Sequence, residues 1–154
     1  MSNFGRREFI MISGAAALWG STAHASFQVT RFKAEWQAML TPLQHKVMRR
    51  EGTERAGSSP LDKNNAPGTY HCCGCDLAVY SSIHKYDSKT GRPSFYQSLP
   101  NAIRTKADYK MIRPGTECHC RRCSSHFGHI FNDGPKPIGK RHCLNGSSLA
   151  FKAT

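Results

Sequence analysis

Acidic residues, internal repeats and long apolar runs are all scarce in this sequence. Asp and Glu number 10 against 22 Lys and Arg, which gives a formal net charge of +12. Such a balance would suit nucleic acid or an anionic surface, but the basic residues are scattered rather than gathered on one face or in one run. The scatter argues against a nucleic-acid partner and favours a basic soluble surface. Apart from two similar cysteine pairs, no repeat or low-complexity segment suggests an array.

The N-terminal residues have the pattern of an export signal. Arg6 and Arg7 precede an apolar segment, Ile10 to Gly20, that is short for a membrane span, and the small residues around Ala25 suit a cleavage site. The two arginines resemble the twin-arginine class of leader. We therefore predict a periplasmic protein with a signal cleaved after Ala25; an uncleaved anchor helix is the alternative. The predicted division is a leader at 1–25 and a single domain at 26–154.

Four of the seven cysteines have the spacing of metal ligands. They form two CxxC pairs, Cys72 with Cys75 and Cys120 with Cys123. Two such turns hold four thiolates as tetrahedral zinc requires, and four cysteine ligands leave no open position. We expect one structural Zn²⁺ that stabilises the fold and does no chemistry. Disulfides, which the periplasm permits, are the alternative.

The remaining pattern predicts a mainly β domain behind a short helical region. Thr41, Pro42 and Gln44 form the start of a capped helix that Gly52 ends. Beyond residue 52 no helix-length apolar period is present. Short β segments alternate with turn residues instead: "TYHC", "LAVYS", "SFYQ", "YKMIR", "TECHC", "HIF" and "SLAFK". This alternation predicts either a twisted antiparallel sheet or two packed sheets joined by zinc.

Cys143 stands apart from the other cysteines, in "GKRHCLNGSS". If residues 141–145 are extended, Arg141, Cys143 and Asn145 share one face of the strand. A neighbouring arginine lowers the pKa of a thiol and favours a thiolate nucleophile, and an Asn side chain can orient a partner through its donor and its acceptor. A buried, inert cysteine is the alternative for this residue alone.

Two histidines lie close to this cysteine in the sequence. His126 and His129 are three residues apart, so a regular strand would send them to opposite faces, but Gly128 suggests a bulge that turns both the same way. Two imidazoles beside a thiolate would supply a general acid near neutral pH. A histidine among aromatic residues is more often a core residue, yet the combination with Cys143 favours catalysis.

Four stretches of the chain resemble the methionine-R-sulfoxide reductases of the B class over roughly residues 32–151. They are "LTPLQHKVMRREGTERAGSSPL", "GTYHCCGCDLAVY", "DSKTGRPSFYQ" and "CHCRRCSSHFGHIFNDGPKPIGKRHCLNGSSLAF". The resemblance implies a zinc-stapled pair of antiparallel sheets. It also implies thiol-dependent reduction of methionine-R-sulfoxide in peptides or proteins, with repair of oxidised exported proteins as the role. The expected partner is a thioredoxin-like or other thiol reductant. The protein itself is expected to be a monomer without stable membrane association.

The resemblance also implies roles for individual residues. Cys143, in "RHCLN", matches the nucleophile of the family motif "RYCxN", which takes the sulfoxide oxygen as a sulfenic acid. His126 and His129 match histidines that bind water or the sulfoxide oxygen and help to protonate it. Asn145 and Arg141 match residues that orient the site and keep the pKa of the thiol low. The zinc ligands match at Cys72, Cys75, Cys120 and Cys123.

Two positions depart from the family pattern. Arg92, in "GRPSF", replaces a tryptophan that packs on the substrate methyl group, so substrate contacts are expected from Arg92 and from Phe95 of the same motif, with weaker binding. Thr90 stands where many relatives have a recycling cysteine. Recycling then requires Cys73 or Cys118, or direct attack on Cys143 by an external thiol. A zinc-ribbon binding module with a degenerate active site is the rival class, which the retained cysteine, histidines and asparagine argue against.

Overall fold

The computed structural model describes residues 26–109 and 115–154. The predicted leader at 1–25 lies outside the described residues. Within the two described ranges, no helix combines the length and the apolar character needed to cross a membrane.

Two short helices precede the sheets. The first, α1, spans Lys33–Met39 and buries Trp36; the second, α2, spans Pro42–Arg50. The predicted start of α2 is confirmed, because the backbone N–H of Gln44 donates to Thr41 Oγ1 at 3.2 Å while Gln44 Oε1 accepts from the Thr41 N–H at 3.0 Å. The sequence did not indicate α1, because a helix of two turns is too short to show an apolar period.

The predicted pair of packed antiparallel sheets is confirmed. A three-stranded sheet has the order β2-β1-β9, and a six-stranded sheet has the order β3-β4-β8-β7-β6-β5, with all pairs antiparallel. The strands of the described ranges are β1 Gly68–Cys72, β2 Ala78–Ser81, β3 Lys85–Tyr86, β4 Ser94–Phe95, β5 Ile103–Asp108, β6 Gly115–Cys120, β7 His126–Phe131, β8 Arg141–Leu144 and β9 Leu149–Ala153. Single 3₁₀ turns lie at Pro60–Asp62, Ser82–His84 and Gly146–Ser148.

One predicted strand falls mostly outside the described residues. Of the segment "YKMIR", Tyr109 is outside any strand, and residues 110–113 lie outside the described ranges, so a strand there stays a prediction. The strand β5 lies just before this segment. The sequence did not indicate β5 because this strand is at the edge of its sheet and carries charged side chains, which protect an edge from further pairing. Its place is fixed by pairing with β6 from Ile103↔Cys120 to Asp108↔Gly115.

The core lies between the two sheets. Tyr70 and Tyr80 of the small sheet pack on Phe95 of the large sheet, with ring centroids 5.0 and 4.7 Å apart. Tyr80 also hydrogen bonds across the core through its hydroxyl group, 3.0 Å from His142 Nδ1 on β8. These contacts leave the opposite face of the large sheet free to carry polar side chains.

Candidate active site and metal centre

The register of the large sheet places one line of polar side chains across all of its strands. Each residue of the line is the direct cross-strand partner of the next, so all of them point to the same face. We call this line the polar row; in strand order it is Tyr86, Ser94, Cys143, His129, Glu117 and Lys106. Cys143 therefore has hydroxyl groups on one side and imidazole and charged groups on the other.

A bulge in β7 brings both histidines to this face. Cys118 pairs with Gly128 and His119 with His126, so Phe127 has no partner on β6 and is the extra residue. The rings of His126 and His129 consequently lie with centroids 5.5 Å apart and edge to face. The predicted bulge is confirmed. Glycine is required at residue 128 because a Cβ there would lie 2.1 Å from the carbonyl oxygen of Cys143.

His126 is held by a buried carboxylate. Its Nδ1 lies 2.7 Å from Glu117 Oε1, and Lys106 Nζ lies 2.8 Å from the other Glu117 oxygen. Burial alone would raise the pKa of Glu117, but the hydrogen bonds from His126 and Lys106 outweigh it and the pKa is lowered. The carboxylate fixes a proton on His126 Nδ1, and Nε2 is buried with no partner in the described residues. Nε2 can accept from a water when the ring is neutral and donate to an acceptor oxygen when the ring is protonated.

His129 and Cys143 face an open cleft next to this pair. His129 Nε2 lies 2.8 Å from Asp108 Oδ2, and Cys143, which is 7 % exposed, has its Sγ 3.8 Å from Thr90 Oγ1. The cleft has a volume of about 340 Å³. Its walls come from α2, the loop after it, strands β5, β7 and β8, and loop residues before β4 and after β8: Arg50, Glu51, Thr53, Arg92, Asp108, Gly128, His129, Phe131, Cys143 and Asn145.

The two residues expected to contact substrate are separated by the sheet. Arg92 lines the cleft, and its Nη2 donates to the carbonyl oxygen of Glu54 at 3.4 Å. Phe95 is the cross-strand partner of His142, so it points to the other face and is fully buried between the sheets. The structure therefore places Phe95 in the core rather than in the cleft, because successive side chains of a strand alternate between its faces.

Asn145 fastens the end of β8 through both ends of its amide. Its Oδ1 accepts from the backbone N–H of Glu54 at 3.0 Å, and its Nδ2 donates to the carbonyl oxygen of Phe127 at 2.9 Å. Glu54, itself buried, accepts from the backbone N–H groups of Gly146 and Ser147 at 2.6 and 2.8 Å. These bonds fix the segment after Cys143 against the loop that follows α2, which agrees with an orienting role for Asn145.

Arg141 shares the face of Cys143 but is committed to another partner. Its Nε and Nη2 donate to the two carboxylate oxygens of Asp133 at 2.9 and 2.8 Å, and its guanidinium lies 4.5 Å from the ring centroid of Phe131. This bidentate pairing holds the guanidinium rigidly beside β8. A lowering of the thiol pKa by Arg141 stays a prediction.

The four CxxC cysteines converge on one point. Their sulfur atoms all lie within 4.8 Å of one another, with Cys72 and Cys123 3.6 Å apart and Cys75 and Cys120 3.5 Å apart. Zn–S bonds of about 2.3 Å in a tetrahedron separate two sulfurs by about 3.8 Å, whereas a disulfide requires about 2.05 Å. The donor set therefore fits zinc and not the disulfide alternative. With four thiolates the site is closed and structural.

The two remaining cysteines lie in different surroundings. Cys118 is fully buried and belongs to the line Cys118–Gly128–Leu144 on the core face of the sheet, opposite to Cys143. Burial raises its pKa to about 12. Cys73 is half-buried in the first zinc knuckle, where its N–H donates to the carbonyl oxygen of Ser148 at 3.0 Å.

Sequence reasoning missed three polar contacts of the site: those of Glu117, Asp108 and Glu54. Glu117 lies in the predicted strand "TECHC", so a period of two assigns it a face, but only the pairing of β6 with β7 shows that this face carries the histidines. Glu54 lies in a polar loop, where no periodicity applies. Asp108 is the last residue of β5, a strand that the sequence did not reveal.

Comparison with known proteins gives a consistent set of relatives. The family model described as SelR domain matches residues 40–153. The chain is 46% identical over 121 residues to peptide methionine sulfoxide reductase MsrB of Thiobacillus denitrificans, covering 77% of this chain and 90% of that protein. It is 41% identical over 130 residues to the MsrB protein of Leptospira interrogans, covering 82% and 98%.

A plant relative is longer than this chain. Peptide methionine sulfoxide reductase B1, chloroplastic, of Arabidopsis thaliana is 44% identical over 120 residues, which is 77% of this chain and 59% of that protein. The chain therefore spans somewhat more than half the length of this relative.

Proposed function

We propose that this chain, which belongs to the SelR family, reduces methionine-R-sulfoxide to methionine with Cys143 as the nucleophile. The observation that carries the proposal is the position of Cys143 at the cleft, between the imidazoles of β7 and the hydroxyl groups beside β4. If Cys143 were strictly structural, nothing in its packing would require the buried His126–Glu117 pair on the same face of the sheet.

The proposed reaction uses the two sides of Cys143 differently. The Cys143 thiolate attacks the sulfur of the sulfoxide and forms an S–S bond, while the sulfoxide oxygen takes one proton from the histidine side. This oxygen then passes to Cys143 as a hydroxyl group, and the S–O bond of the substrate and the new S–S bond both break. Methionine leaves, and Cys143 becomes a sulfenic acid. We assign the holding and protonation of that oxygen to His126 Nε2 and the His129 ring, supported by their ring centroids 5.5 Å apart and by the Glu117 carboxylate 2.7 Å from His126 Nδ1.

The proposed substrate is oxidised methionine in peptides or proteins. The cleft is open at the surface, and α2 and the loop after it, rather than a closed lid, form one of its walls. A side chain carried on an extended peptide can enter such a cleft while its backbone stays outside. Repair of oxidised exported proteins is the corresponding role.

We further propose that an external thiol resets the enzyme directly. The hydroxyl group of Thr90 lies beside Cys143 but cannot form a disulfide. Cys118 points to the opposite face of the sheet, and Cys73 is confined between two zinc ligands. Mass spectrometry of the protein after sulfoxide turnover tests this route: a sulfenic acid or a mixed disulfide at Cys143 is expected, whereas an internal bridge from Cys143 to Cys73 or Cys118 would overturn it.

The location belongs to the proposal as well. The leader pattern of residues 1–25 supports export by the twin-arginine route to the periplasm, as a monomer with no stable membrane association. Replacing Arg6 and Arg7 by lysine should hold the protein in the cytoplasmic fraction. Export of the lysine variant at the unaltered rate would exclude that route.

Turnover of the two resolved methionine sulfoxide epimers in a short peptide tests the activity. Reduction of the R epimer alone is expected with dithiothreitol as reductant, and Cys143→Ser should abolish it. Thr116→Ser, on β6 and away from the cleft lining, serves as the matched control. If neither epimer is reduced by the zinc-loaded protein, the chain is better assigned to the binding modules.

A further inference from the structure

A chain of hydroxyl groups ends at the sulfur of Cys143. Thr90 Oγ1 lies 3.8 Å from Cys143 Sγ and 2.9 Å from Ser88 Oγ. Ser88 Oγ in turn lies 2.7 Å from Ser94 Oγ, and Ser94 donates to the carbonyl oxygen of Arg92 at 3.1 Å. Ser94 is fully buried and is the direct cross-strand partner of Cys143, so the far end of the chain is fixed by the sheet.

The direction of donation along these hydroxyl groups follows from the single proton that each hydroxyl group carries. A carbonyl oxygen only accepts, so the single hydroxyl proton of Ser94 points to Arg92. Ser88 must then donate to Ser94, and Thr90 must donate to Ser88. Thr90 Oγ1 is left as an acceptor, and the group facing it is the thiol of Cys143, which donates to it while the sulfur is protonated.

We propose that Thr90 is a catalytic residue whose hydroxyl group accepts from the Cys143 thiol and, after the proton has left, turns to donate to the Cys143 thiolate. A hydrogen bond to an ionised acceptor is stronger than one between neutral groups, so the turn stabilises the thiolate and aims the sulfur at the cleft. Ser88 and Ser94 oppose this rotation of the Thr90 hydroxyl group, because Ser88 accepts the Thr90 proton on the side away from Cys143.

The chain of hydroxyl groups cannot accept the proton of the Cys143 thiol. Its last member is a peptide carbonyl group, which is far less basic than a thiolate, so no proton can move along the hydroxyl groups away from Cys143. The proton therefore leaves toward the open cleft, which Cys143 and its cross-strand partner His129 both line. This division gives the two sides of the nucleophile separate tasks, stabilisation of the thiolate and exchange of protons.

The inference rests on the proposed function only for its catalytic meaning, because the hydrogen bonds to Cys143 can be measured without any sulfoxide. The test is the rate of alkylation of Cys143 by iodoacetamide against pH, in the zinc-loaded full chain, with the modified peptide quantified by mass spectrometry. The variants are Thr90→Val, which keeps the shape and removes the hydroxyl group, Thr90→Ser, which keeps the hydroxyl group, and Ser88→Ala, which frees the Thr90 proton.

The three variants are expected to shift the half-maximal pH of Cys143 alkylation differently. Thr90→Val should move the half-maximal pH of alkylation upward by about half a unit or more, since the thiolate loses a charge-assisted hydrogen bond. Thr90→Ser should leave it within about 0.2 of a unit, and Ser88→Ala should leave it unchanged or lower it. Circular dichroism and zinc content confirm that each variant is folded.

Two results would overturn the inference. An unchanged profile for Thr90→Val would show that the hydroxyl group does not bond to the thiolate. A shift of Thr90→Val and Ser88→Ala in the same direction would show a general loosening of the loop rather than a directed chain. If the alkylation profile shifts as expected but no epimer is reduced, the hydroxyl chain stands and the proposed function fails.

Discussion

Arg92 is the single residue that most separates this cleft from the family pattern. Its guanidinium lines the cleft near Cys143 and bonds to the carbonyl oxygen of Glu54, where the family usually has an indole that packs on the substrate methyl group. A guanidinium plane covers apolar atoms less well than an indole does. Substrate binding should therefore be weaker here than in a relative with tryptophan.

The substitution Arg92→Trp tests this effect. It should raise kcat/KM for a peptide containing methionine-R-sulfoxide by about 5-fold or more, because one well-packed methyl group is worth roughly 1–3 kcal/mol in a hydrophobic pocket. Steady-state kinetics with thiol reductant in excess measure it, with Arg55→Trp in the loop after α2 as a control for an added surface indole. An unchanged or lower kcat/KM would refute the explanation.

Glu117 is the residue on which the proposed acid–base role of His126 depends. Glu117→Gln keeps the size of the side chain but removes the charge that stabilises the imidazolium, so kcat should fall about 10-fold or more and its dependence on pH should change. The pH profile of kcat measures this. Glu35→Gln, at the exposed start of α1, is the matched control. If kcat of Glu117→Gln stays within about twofold at every pH, His126 works without its carboxylate.

Among the elements, β7 decides whether the site exists, because its bulge turns both histidines to the side of Cys143. The bulge requires close contact between β7 and β8 at Gly128, where a Cβ would meet the carbonyl oxygen of Cys143 at 2.1 Å. The backbone of β8 cannot move away from β7 without breaking the pairs of the polar row.

Gly128→Ala should therefore lower the free energy of unfolding by about 3 kcal/mol or more, because the clash is with backbone atoms. Urea unfolding followed by fluorescence measures the loss. Gly139→Ala is the matched control, since its φ of +69° is unfavourable for alanine but a Cβ there meets nothing within 4 Å; a cost of about 1 kcal/mol is expected. Equal losses for the two variants would show that the contact is not limiting.

At the scale of the whole molecule, the two sheets are joined by a titratable contact. The hydroxyl group of Tyr80 on β2 meets His142 Nδ1 on β8 at 3.0 Å within the core. Burial, with a smaller contribution from the charge of Lys140, lowers the pKa of His142 to about 4 from its usual 6.5. The folded protein therefore keeps His142 neutral at pH values where the unfolded chain binds a proton.

Stability should consequently depend on pH in the window set by these two pKa values. The contribution of His142 is fully present above pH 6.5 and is lost as the pH falls to about 4, by roughly 3 kcal/mol in total. His142→Gln should remove this part of the slope in urea unfolding between pH 4 and 6.5, whereas His45→Gln on α2 should keep it. A slope that is the same in His142→Gln and in the unaltered protein would contradict the assignment.

Zinc joins the two sheets at another point. Cys72 belongs to β1 of the small sheet and Cys120 to β6 of the large sheet, so one ion ties both layers. Cys120→Ser should lose the zinc and lower the midpoint of thermal unfolding by more than about 10 °C, since metal binding is part of the folding free energy of such sites.

Elemental analysis and circular dichroism measure these two quantities together. Cys73→Ser is the matched control, because residue 73 lies within the same knuckle but outside the ligand set, and it should retain one zinc per chain. A Cys120→Ser protein that has no zinc but an unchanged midpoint would show that the ion is not structural.

The sequence by itself determined the features that depend on local spacing. The zinc ligands follow from the CxxC turns, the start of α2 from its capping residues, and the bulge from Gly128 between two histidines, while Cys143 as nucleophile stays a prediction from its motif. In each of these, the residues that matter are a few positions apart, so the geometry of the local chain already brings them together or apart.

Only the tertiary structure decided which distant residues complete the site. The polar row joins β3 to β5 through strands that are far apart in the sequence, and a shift of one residue in any pairing would send its side chains to the other face. That is why Phe95 lies in the core rather than in the cleft. For the same reason Glu117 lies beside His126, and Thr90 lies beside Cys143. Register depends on the packing of the whole core, and no short stretch of sequence contains it.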